Sequence, residues 1–195
     1  PPLGRKPSDV IGQADWRVDG DELVADNVGQ KSGAILFFGN KEWTDYDFSF
    51  EAKTLAGKSG PIALFRTFDN SNCYRLMAGN FAGTKHSLTC SKMGKTTPVV
   101  PPVMEQYDVN RWYKVRIEVR GNKLDCYLNA RKIFDCMNGT HEKGEVGLGV
   151  TVDGNIRWKN IKVATPDGKV LWDGSPDLLG LKRGAKPPVV ATIDD

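Results

Sequence analysis

Alternation of apolar and polar residues is the clearest pattern along this chain. Apolar side chains occupy every second position of residues 46–52, with Asp, Ser and Glu between them. The same alternation runs through residues 113–120, YKVRIEVR. A period of two places successive side chains on opposite faces of a strand, whereas a helix would spread them around its circumference. Both segments are therefore predicted to be strands with one face in the core.

Further segments are predicted to be strands because they are apolar or alternating and are bounded by turn residues: Glu22–Asp26, Ala34–Phe38, Pro61–Phe68, Cys73–Ala78, His86–Lys92, Lys123–Leu128, Lys132–Cys136, Glu145–Val152 and Ile156–Val163. Gly, Asn and Asp fill the connections, as in Gly121-Asn122, since they tolerate positive φ or bond their own backbone. No segment carries a capped, amphipathic helical repeat. The fold class is predicted to be all-β, with two antiparallel sheets packed as a jelly-roll sandwich.

The ends of the chain and one internal segment depart from this pattern. Residues 96–104, TTPVVPPVM, contain three prolines, so an extended loop or an edge segment is predicted there. Residues 1–14 and 176–195 are predicted to be linker and tail, which leaves a sandwich domain over residues 15–175. Both ends suggest a domain cut from a larger multidomain protein.

Charge and apolar content exclude several kinds of partner. The net charge of +3 comes from 27 basic and 24 acidic residues that are interleaved, so no basic stripe for nucleic acid exists. The longest uncharged apolar stretch near the N-terminus, Ala34–Phe38, is far too short for membrane insertion. The four cysteines are Cys73, Cys90, Cys126 and Cys136. They contain no CxxC zinc motif, and buried thiols or cross-hairpin disulfides both stay open.

Residues 110–136 and 144–163 carry a family resemblance. The order of Trp112-Tyr113, the Gly121-Asn122 hairpin, a Gly-x-Val-Gly-Leu strand and a final Asn-Ile resembles the concanavalin A-like lectin/glucanase superfamily, in its laminin-G-like branch. The resemblance covers most of the chain and implies a concanavalin A-like sandwich. It implies little about activity, because this sandwich serves lectins, adhesive modules, lyases and hydrolases alike.

Two relatives within that superfamily bear on function. Ser59-Gly60 and Arg66 resemble the strand of 3-keto-disaccharide hydrolase-like domains, which continue with Tyr-Glu and Gln. This chain has Arg75 and Met77 at those positions, so a cation replaces a potential acid or base. Residues 79–86, GNFAGTKH, resemble sandwiches appended to bacterial arabinofuranosidases, where the sandwich accompanies a separate catalytic domain.

The sequence lacks the residue patterns of the common hydrolase active sites, which favours a non-catalytic protein over an enzyme. The paired carboxylates of superfamily glucanases form a Glu-x-Asp-x-x-Glu-like run that is absent here. Asp47 and Glu51 share one strand face, which is predicted to be solvated surface. Only two histidines occur, and no Gly-x-Ser-x-Gly elbow accompanies them. No catalytic and no metal-binding residues are assigned. His141 is predicted to be surface.

Sugar recognition needs an aromatic platform with fixed hydrogen-bonding groups. The candidate ligand-binding residues are Trp43, Arg66, Arg75, Asn80 and His86. Trp112 and Trp158 are predicted to be core, and Trp16 and Trp172 to seal the ends of the sandwich. No cofactor is expected. Residues 69–72 offer oxygen ligands for calcium, but one carboxylate among amides favours a plain turn.

The leading hypothesis is a non-catalytic carbohydrate-binding or accessory module of a larger bacterial protein, whose partners are glycans and the other domains of its parent chain. An extracellular or cell-envelope location is slightly favoured. The alternatives are a glycoside hydrolase acting on 3-keto- or modified glycosides, and a structural or protein-interaction module.

Overall fold

A computed structural model describes residues 10–174 and 181–183 of the chain. The predicted ends at 1–9, 175–180 and 184–195 lie outside these residues. The described elements follow in chain order: β1 (Val10–Ile11), β2 (Asp15–Asp19), β3 (Glu22–Asp26), β4 (Ala34–Phe38), β5 (Tyr46–Ala56), β6 (Ile62–Asp69), β7 (Asn72–Gly79), a helical turn α1 (Asn80–Gly83), β8 (Lys85–Lys92), β9 (Lys95–Pro98), β10 (Val103–Met104), β11 (Tyr113–Arg120), β12 (Lys123–Leu128), β13 (Arg131–Met137), β14 (Glu145–Val150), β15 (Asn155–Ala164), β16 (Val170–Trp172) and β17 (Lys182–Arg183).

The strands form two sheets, which confirms the predicted all-β sandwich. Sheet A has the order β1-β4-β14-β6-β7-β8-β10, with β9 also paired to β8. Sheet B has the order β13-β12-β11-β5-β15-β3-β2-β17, with β16 also paired to β15. The pairs are antiparallel except for the short parallel contact between β17 and β2. None of the described residues forms a helix long and apolar enough to cross a membrane.

The core lies between the inner faces of the two sheets. In β5, every second residue from Tyr46 to Thr54 is buried, and β11 repeats the alternation from Tyr113 to Val119. Both predicted strands are therefore confirmed with the predicted faces inward. Trp158 is fully buried and stacks on Trp16 with 5.7 Å between ring centroids. Such aromatic packing adds to the free energy gained by burying apolar area.

Two central strands of sheet A, β4 and β14, are buried along their whole length. Their sequences, AILFF and EVGLGV, are continuously apolar apart from one glutamate. A strand that is covered on both faces loses the alternation of a half-exposed strand. Sheet A therefore has an apolar outward surface as well as an apolar inner one.

Segments that were predicted to be linker, loop and tail supply short edge strands. The proline-rich stretch supplies β9 and β10, both at the edge beside β8, where proline costs no central ladder bond. Val10–Ile11, within the predicted linker, pairs with β4. Lys182–Arg183, within the predicted tail, pairs with β2.

Candidate functional site

The outward surface of sheet A, here called face A, combines an apolar centre with a polar strip. Its centre is a cluster distinct from the main core, with members no more than 8% exposed: Ile35, Phe37, Ile62, Leu64 and Cys73, with Met77 packed against them. Beside this centre, Arg75, Ser87 and Thr89 on β7 and β8 are half-buried. Hydrogen-bonding groups thus lie directly next to apolar surface, as in small-molecule sites.

Strand register fixes the order of these residues across the sheet. Arg75 is paired with Leu64 on one side and with Thr89 on the other. Leu64 is paired with Gly147, and Gly147 with Phe37. Paired residues of neighbouring strands point to the same face, so one row runs from an aromatic ring to a hydroxyl with the guanidinium between them.

Two glycines in β14 let the apolar centre close up. A Cβ on Gly147 would lie 3.3 Å from Phe37 Cδ1 and 3.4 Å from Ile35 Cγ2. A Cβ on Gly149 would lie 3.1 Å from Ile62 Cβ. Side chains from β4 and β6 therefore pack together over the bare backbone of β14.

Arg75 is the charged group of the polar strip. Its Nη2 donates a hydrogen bond to Asn70 Oδ1 at 2.8 Å. Its Nε is buried and has no acceptor among the described residues. Within the described part of the chain, Arg75 makes no ion pair either. A partly buried guanidinium is thus held by a neutral amide alone.

The strip ends at a strained turn that displays an aromatic ring. Phe81 and Ala82 have φ of 50° and 56°, which non-glycine residues rarely adopt. Phe81 is 64% exposed, and Lys85 Nζ lies 3.5 Å from the centre of its ring. Asn80 Nδ2 donates to Ser87 Oγ at 3.0 Å, which joins the turn to the strip.

Tyr107 fixes this turn from below. Its backbone N–H donates to Gly83 O at 2.8 Å, and its hydroxyl lies 3.3 Å from Thr54 Oγ1. A Cβ on Gly79 would lie 2.5 Å from the Tyr107 ring, and one on Gly60 2.8 Å, so only glycine fits at both positions. Burial raises the pKa of Tyr107 to about 12. Residues held in unusual conformations persist only where such packing imposes them.

Arg66 does not lie on face A. It is 1% exposed and extends toward sheet B, where it donates to Thr44 O, Gly121 O, His141 O and Asp45 Oδ1 at 2.6 to 3.2 Å. A charged residue directly after the apolar run IALF is costly to bury unless it points into a polar cleft or meets a partner. Arg66 finds its polar partners in loops that close one end of the sandwich.

His86 and Trp43 are also placed away from the strip. His86 is fully buried, and its Nδ1 accepts a hydrogen bond from the Gly79 N–H at 3.1 Å. Burial first, and then the charge of Arg131, lower the pKa of His86. Trp43 is half-buried, with its ring against Gly39 and edge-on to Tyr46.

The structure therefore does not bring the five predicted site residues together. Trp43 lies at the same end as Arg66, because Tyr46, which its ring contacts, accepts a hydrogen bond from the Arg66 N–H. His86 lies at the other end, roughly 13 Å or more along the strands. Of the five, Arg75 and Asn80 share face A, roughly 16 Å apart along β7 by strand spacing. Alternation cannot show which end of the sandwich a long, buried polar side chain will reach.

Glu145 was missed by the sequence reasoning. This residue is fully buried at the start of β14 and is paired with Thr67 beside a shift in the ladder register, and its charge contributes to the raised pKa of Tyr46. By strand spacing its Cα lies roughly 12 Å from that of Arg75. A glutamate at the start of an apolar strand is costly to bury, as a charged residue after IALF is, so the sequence could have indicated a special role for Glu145. The alternation of Ser87 and Thr89 with apolar residues in β8 could likewise have indicated a polar strip.

The outward face of sheet B carries many ion pairs, such as Arg116 with Glu118 and Lys159 with Glu51. A groove of about 410 Å³ lies there, lined among others by Ser49, Glu51, Lys114, Arg116, Tyr127 and Asn160. Asp47 accepts a hydrogen bond from Arg120 and Glu51 accepts one from Asn160, and both carboxylates are half-buried on this face.

The prediction that Trp112 lies in the core is wrong. Trp112 is half-buried on this face rather than in the core, and Lys53 and Lys159 lie 4.9 and 4.3 Å from its ring centre. Cation–π contacts of this kind cover a ring with lysine side chains instead of core residues. Trp16 and Trp172 are both buried, and Trp172 packs on Phe38 with 4.6 Å between ring centroids.

The cysteines and the turn at residues 69–72 also have defined places. All four cysteines are free thiols. Cys73 belongs to face A and Cys90 to the core, so these two lie on opposite faces of sheet A. Asp69 Oδ1 accepts from Ser71 N and Asn72 Nδ2, which occupies it within its own turn. Groups of three or more metal-ligating side chains do not occur among the described residues.

His141 is half-buried rather than fully on the surface. Its Nε2 lies 2.7 Å from Ser91 O, and its ring meets Tyr74 edge-on with 5.2 Å between centroids. This histidine therefore joins the loop before β14 to sheet A.

Comparison with known proteins gives one family match. Residues 6–164 match the family described as 3-keto-alpha-glucoside-1,2-lyase-like domain. No curated protein matches the sequence.

Several solved structures share the sandwich. Carbohydrate binding module CBM66 from Bacillus subtilis has a TM-score of 0.67 at 16% identity, covering 80% of this chain and 94% of that one. A protein of unknown function with a galectin-like fold, from Bacillus subtilis, has a TM-score of 0.58 at 12% identity, covering 88% and 97%. The exoplasmic/lumenal domain of VIP36, in its Ca²⁺/Man₃GlcNAc-bound form, has a TM-score of 0.57 at 12% identity, covering 84% and 90%. At these identities the likeness concerns the fold.

Proposed function

Because the chain belongs to the family of 3-keto-alpha-glucoside-1,2-lyase-like domains, we propose that it is a carbohydrate-binding sandwich whose ligand lies along the polar strip of face A. The observation that carries this proposal is the strip itself. It sets the half-buried side chains of Arg75, Ser87 and Thr89 beside an apolar centre, with Phe81 exposed at one end.

The chemistry of the strip suits a sugar. Hydroxyl groups of a sugar need fixed donors and acceptors, and its C–H faces pack on aromatic or apolar surface. Asn80 and Ser87 are held by their mutual hydrogen bond, so both are pre-positioned. Fixed partners lower the entropy lost on binding. Two of the fold neighbours are named for a carbohydrate-binding module and for a bound Man₃GlcNAc, which supports the proposal.

The proposed role is non-catalytic. Glycoside hydrolysis commonly uses two carboxyl groups that flank the scissile bond. No pair of carboxyl groups occurs among the outward residues on the rows of face A described above. Arg75 also stands where the related hydrolase-like strand has a potential acid or base. We propose that the module serves as an accessory to a larger bacterial chain, which would supply any hydrolysis.

Two matched blocking variants test the location. Thr89→Trp adds a large ring to the strip, and Ser49→Trp adds the same ring to the groove of sheet B. Binding to a glycan array of neutral and charged oligosaccharides is expected to disappear in Thr89→Trp and to persist in Ser49→Trp. The opposite result would move the site to sheet B. The absence of any glycan binding by the unmodified protein would refute the function itself.

A second candidate function is elimination on a 3-keto-glucoside, and the family match is the observation that favours it. Glu145, which is fully buried, is the acidic residue to test. A carbonyl at C3 acidifies the C2 proton, so a carboxylate base that reaches it could remove it and pass it to the leaving oxygen as the C1–oxygen bond breaks, which forms the C1–C2 double bond and releases an alcohol. A guanidinium on the same face would stabilise the enolate oxygen. Incubation with a 3-keto-α-glucoside, followed by detection of the released alcohol, tests this. Turnover that Glu145→Gln abolishes would replace the binding proposal, and no turnover would remove the lyase.

A further inference from the structure

The charge of Arg75 narrows the class of ligand that face A accepts. Arg75 is paired across the sheet with Leu64, which is fully buried, and with Thr89, which is neutral. Its one protein acceptor among the described residues is the amide oxygen of Asn70. A guanidinium that is partly removed from water usually has a carboxylate partner, because desolvating an unpaired charge costs several kcal/mol.

The geometry of the guanidinium leaves one edge available. The Nε side faces the sheet and is buried, while Nη2 is fixed by Asn70 at 2.8 Å. Nη1 makes no hydrogen bond to any described residue and is not among the buried, unsatisfied atoms. The end of the fork formed by Nη1 and Nη2 can therefore receive a planar, two-oxygen acceptor from outside.

Nearby acidic side chains do not meet this need. Asp69, in the adjacent turn, directs Oδ1 to Ser71 N and Asn72 Nδ2. Glu145 lies across the apolar centre, at the Cα separation of roughly 12 Å derived above from strand spacing. Arg75 therefore has no carboxylate partner among the described residues, and a ligand could supply one.

We propose that face A recognises an acidic sugar, whose carboxylate binds the Nη1–Nη2 edge of Arg75. This inference rests on the proposed carbohydrate-binding function and specifies its ligand class. The hydroxyls of Ser87 and Thr89 and the half-buried side chain of Met77, which is paired with Ser87, hold the uncharged part of the sugar. Asn70 is a positioning residue, because it orients the guanidinium without touching the carboxylate.

The experiment measures binding of the intact chain to matched oligosaccharides. The probes are oligogalacturonate, its fully methyl-esterified form, and a sulfated oligosaccharide, each titrated by calorimetry at constant ionic strength. The unmodified protein is expected to bind the free acid at least about tenfold more tightly than the ester, as a hydrogen-bonded charge pair implies. Arg75→Gln is expected to abolish that preference and Arg75→Lys to restore only part of it, because lysine lacks the fork.

Arg111→Gln is the control, since it removes one positive charge from a residue that is 60% exposed and lies off face A. It is expected to keep the preference, and all variants are expected to show the unmodified thermal melting temperature within a few degrees. If the unmodified protein binds the acid and the ester equally, and Arg75→Gln does not change either affinity, the acidic-sugar inference is overturned and the sugar-binding proposal stands. Preference for the sulfated probe alone would overturn the carboxylate assignment. Failure to bind any of these probes or any neutral glycan would overturn both proposals.

Discussion

Removal of the Arg66 side chain is the sharpest test of what holds one end of the sandwich together. The guanidinium donates four hydrogen bonds, three to backbone carbonyls and one to Asp45, and it is 1% exposed. Breaking a buried charged network from one side costs about 3–5 kcal/mol. Asp45 is 43% exposed and can be rehydrated, so we expect Arg66→Ala to lower the free energy of unfolding by about 3 kcal/mol, near the lower limit.

A second substitution separates the side chain from the backbone at this position. Arg66 has φ of 44°, a region that costs a residue with a Cβ about 1–2 kcal/mol. Arg66→Gly loses the same hydrogen bonds but relieves this strain, so we expect it to be about 1 kcal/mol more stable than Arg66→Ala. Urea unfolding followed by tryptophan fluorescence, with unchanged m-values, measures both differences.

Two results would refute the reasoning on Arg66. One is a loss below about 1 kcal/mol in Arg66→Ala, which would mean that the network contributes little beyond a surface pair. The other is loss of glycan binding by folded Arg66→Ala protein, which would return Arg66 to the ligand site. We expect binding to be unchanged, because the side chain points away from face A.

Three further predictions concern burial. Trp158→Ala is expected to cost about 3–5 kcal/mol of unfolding free energy and Trp112→Ala less than about 1 kcal/mol, since only the first ring lies in the core; similar losses in urea unfolding would contradict this placement. The pKa of His86 is lowered, so the unfolded chain binds the proton more readily and stability should fall as pH drops below 6.5; His86→Gln should flatten that part of the profile, and an unchanged slope would count against it. The pKa of Tyr107 is raised to about 12, so its contribution is complete below pH 10 and is lost as pH rises from about 10 to 12. Burial also raises the pKa of Tyr46 and of Tyr74. Ultraviolet titration at 295 nm should therefore show fewer tyrosines ionising below pH 11 in the native protein than in urea, and Tyr107→Phe should reduce this difference by one; an unchanged difference in Tyr107→Phe would refute the burial of Tyr107.

The sequence by itself determined the strands and the class of fold. Alternation in β5 and β11 depends on local chemistry alone, because a side chain that follows the strand period must face either core or water. Prolines likewise restricted β9 and β10 to an edge, since proline lacks the ladder donor. These features require no knowledge of which strand lies beside which.

The tertiary structure alone decided which polar residues share a site. Arg66 and Arg75 both interrupt apolar strands, and nothing local distinguishes them. A positive φ at Arg66 turns its side chain toward loops of the opposite sheet, whereas the regular register of β7 keeps Arg75 on face A. The position of Trp112 on the outward face of sheet B could not be predicted either, because Lys53 and Lys159 reach its ring from neighbouring strands. Long-range strand order sets such contacts, and the periodicity of one strand carries no information about it.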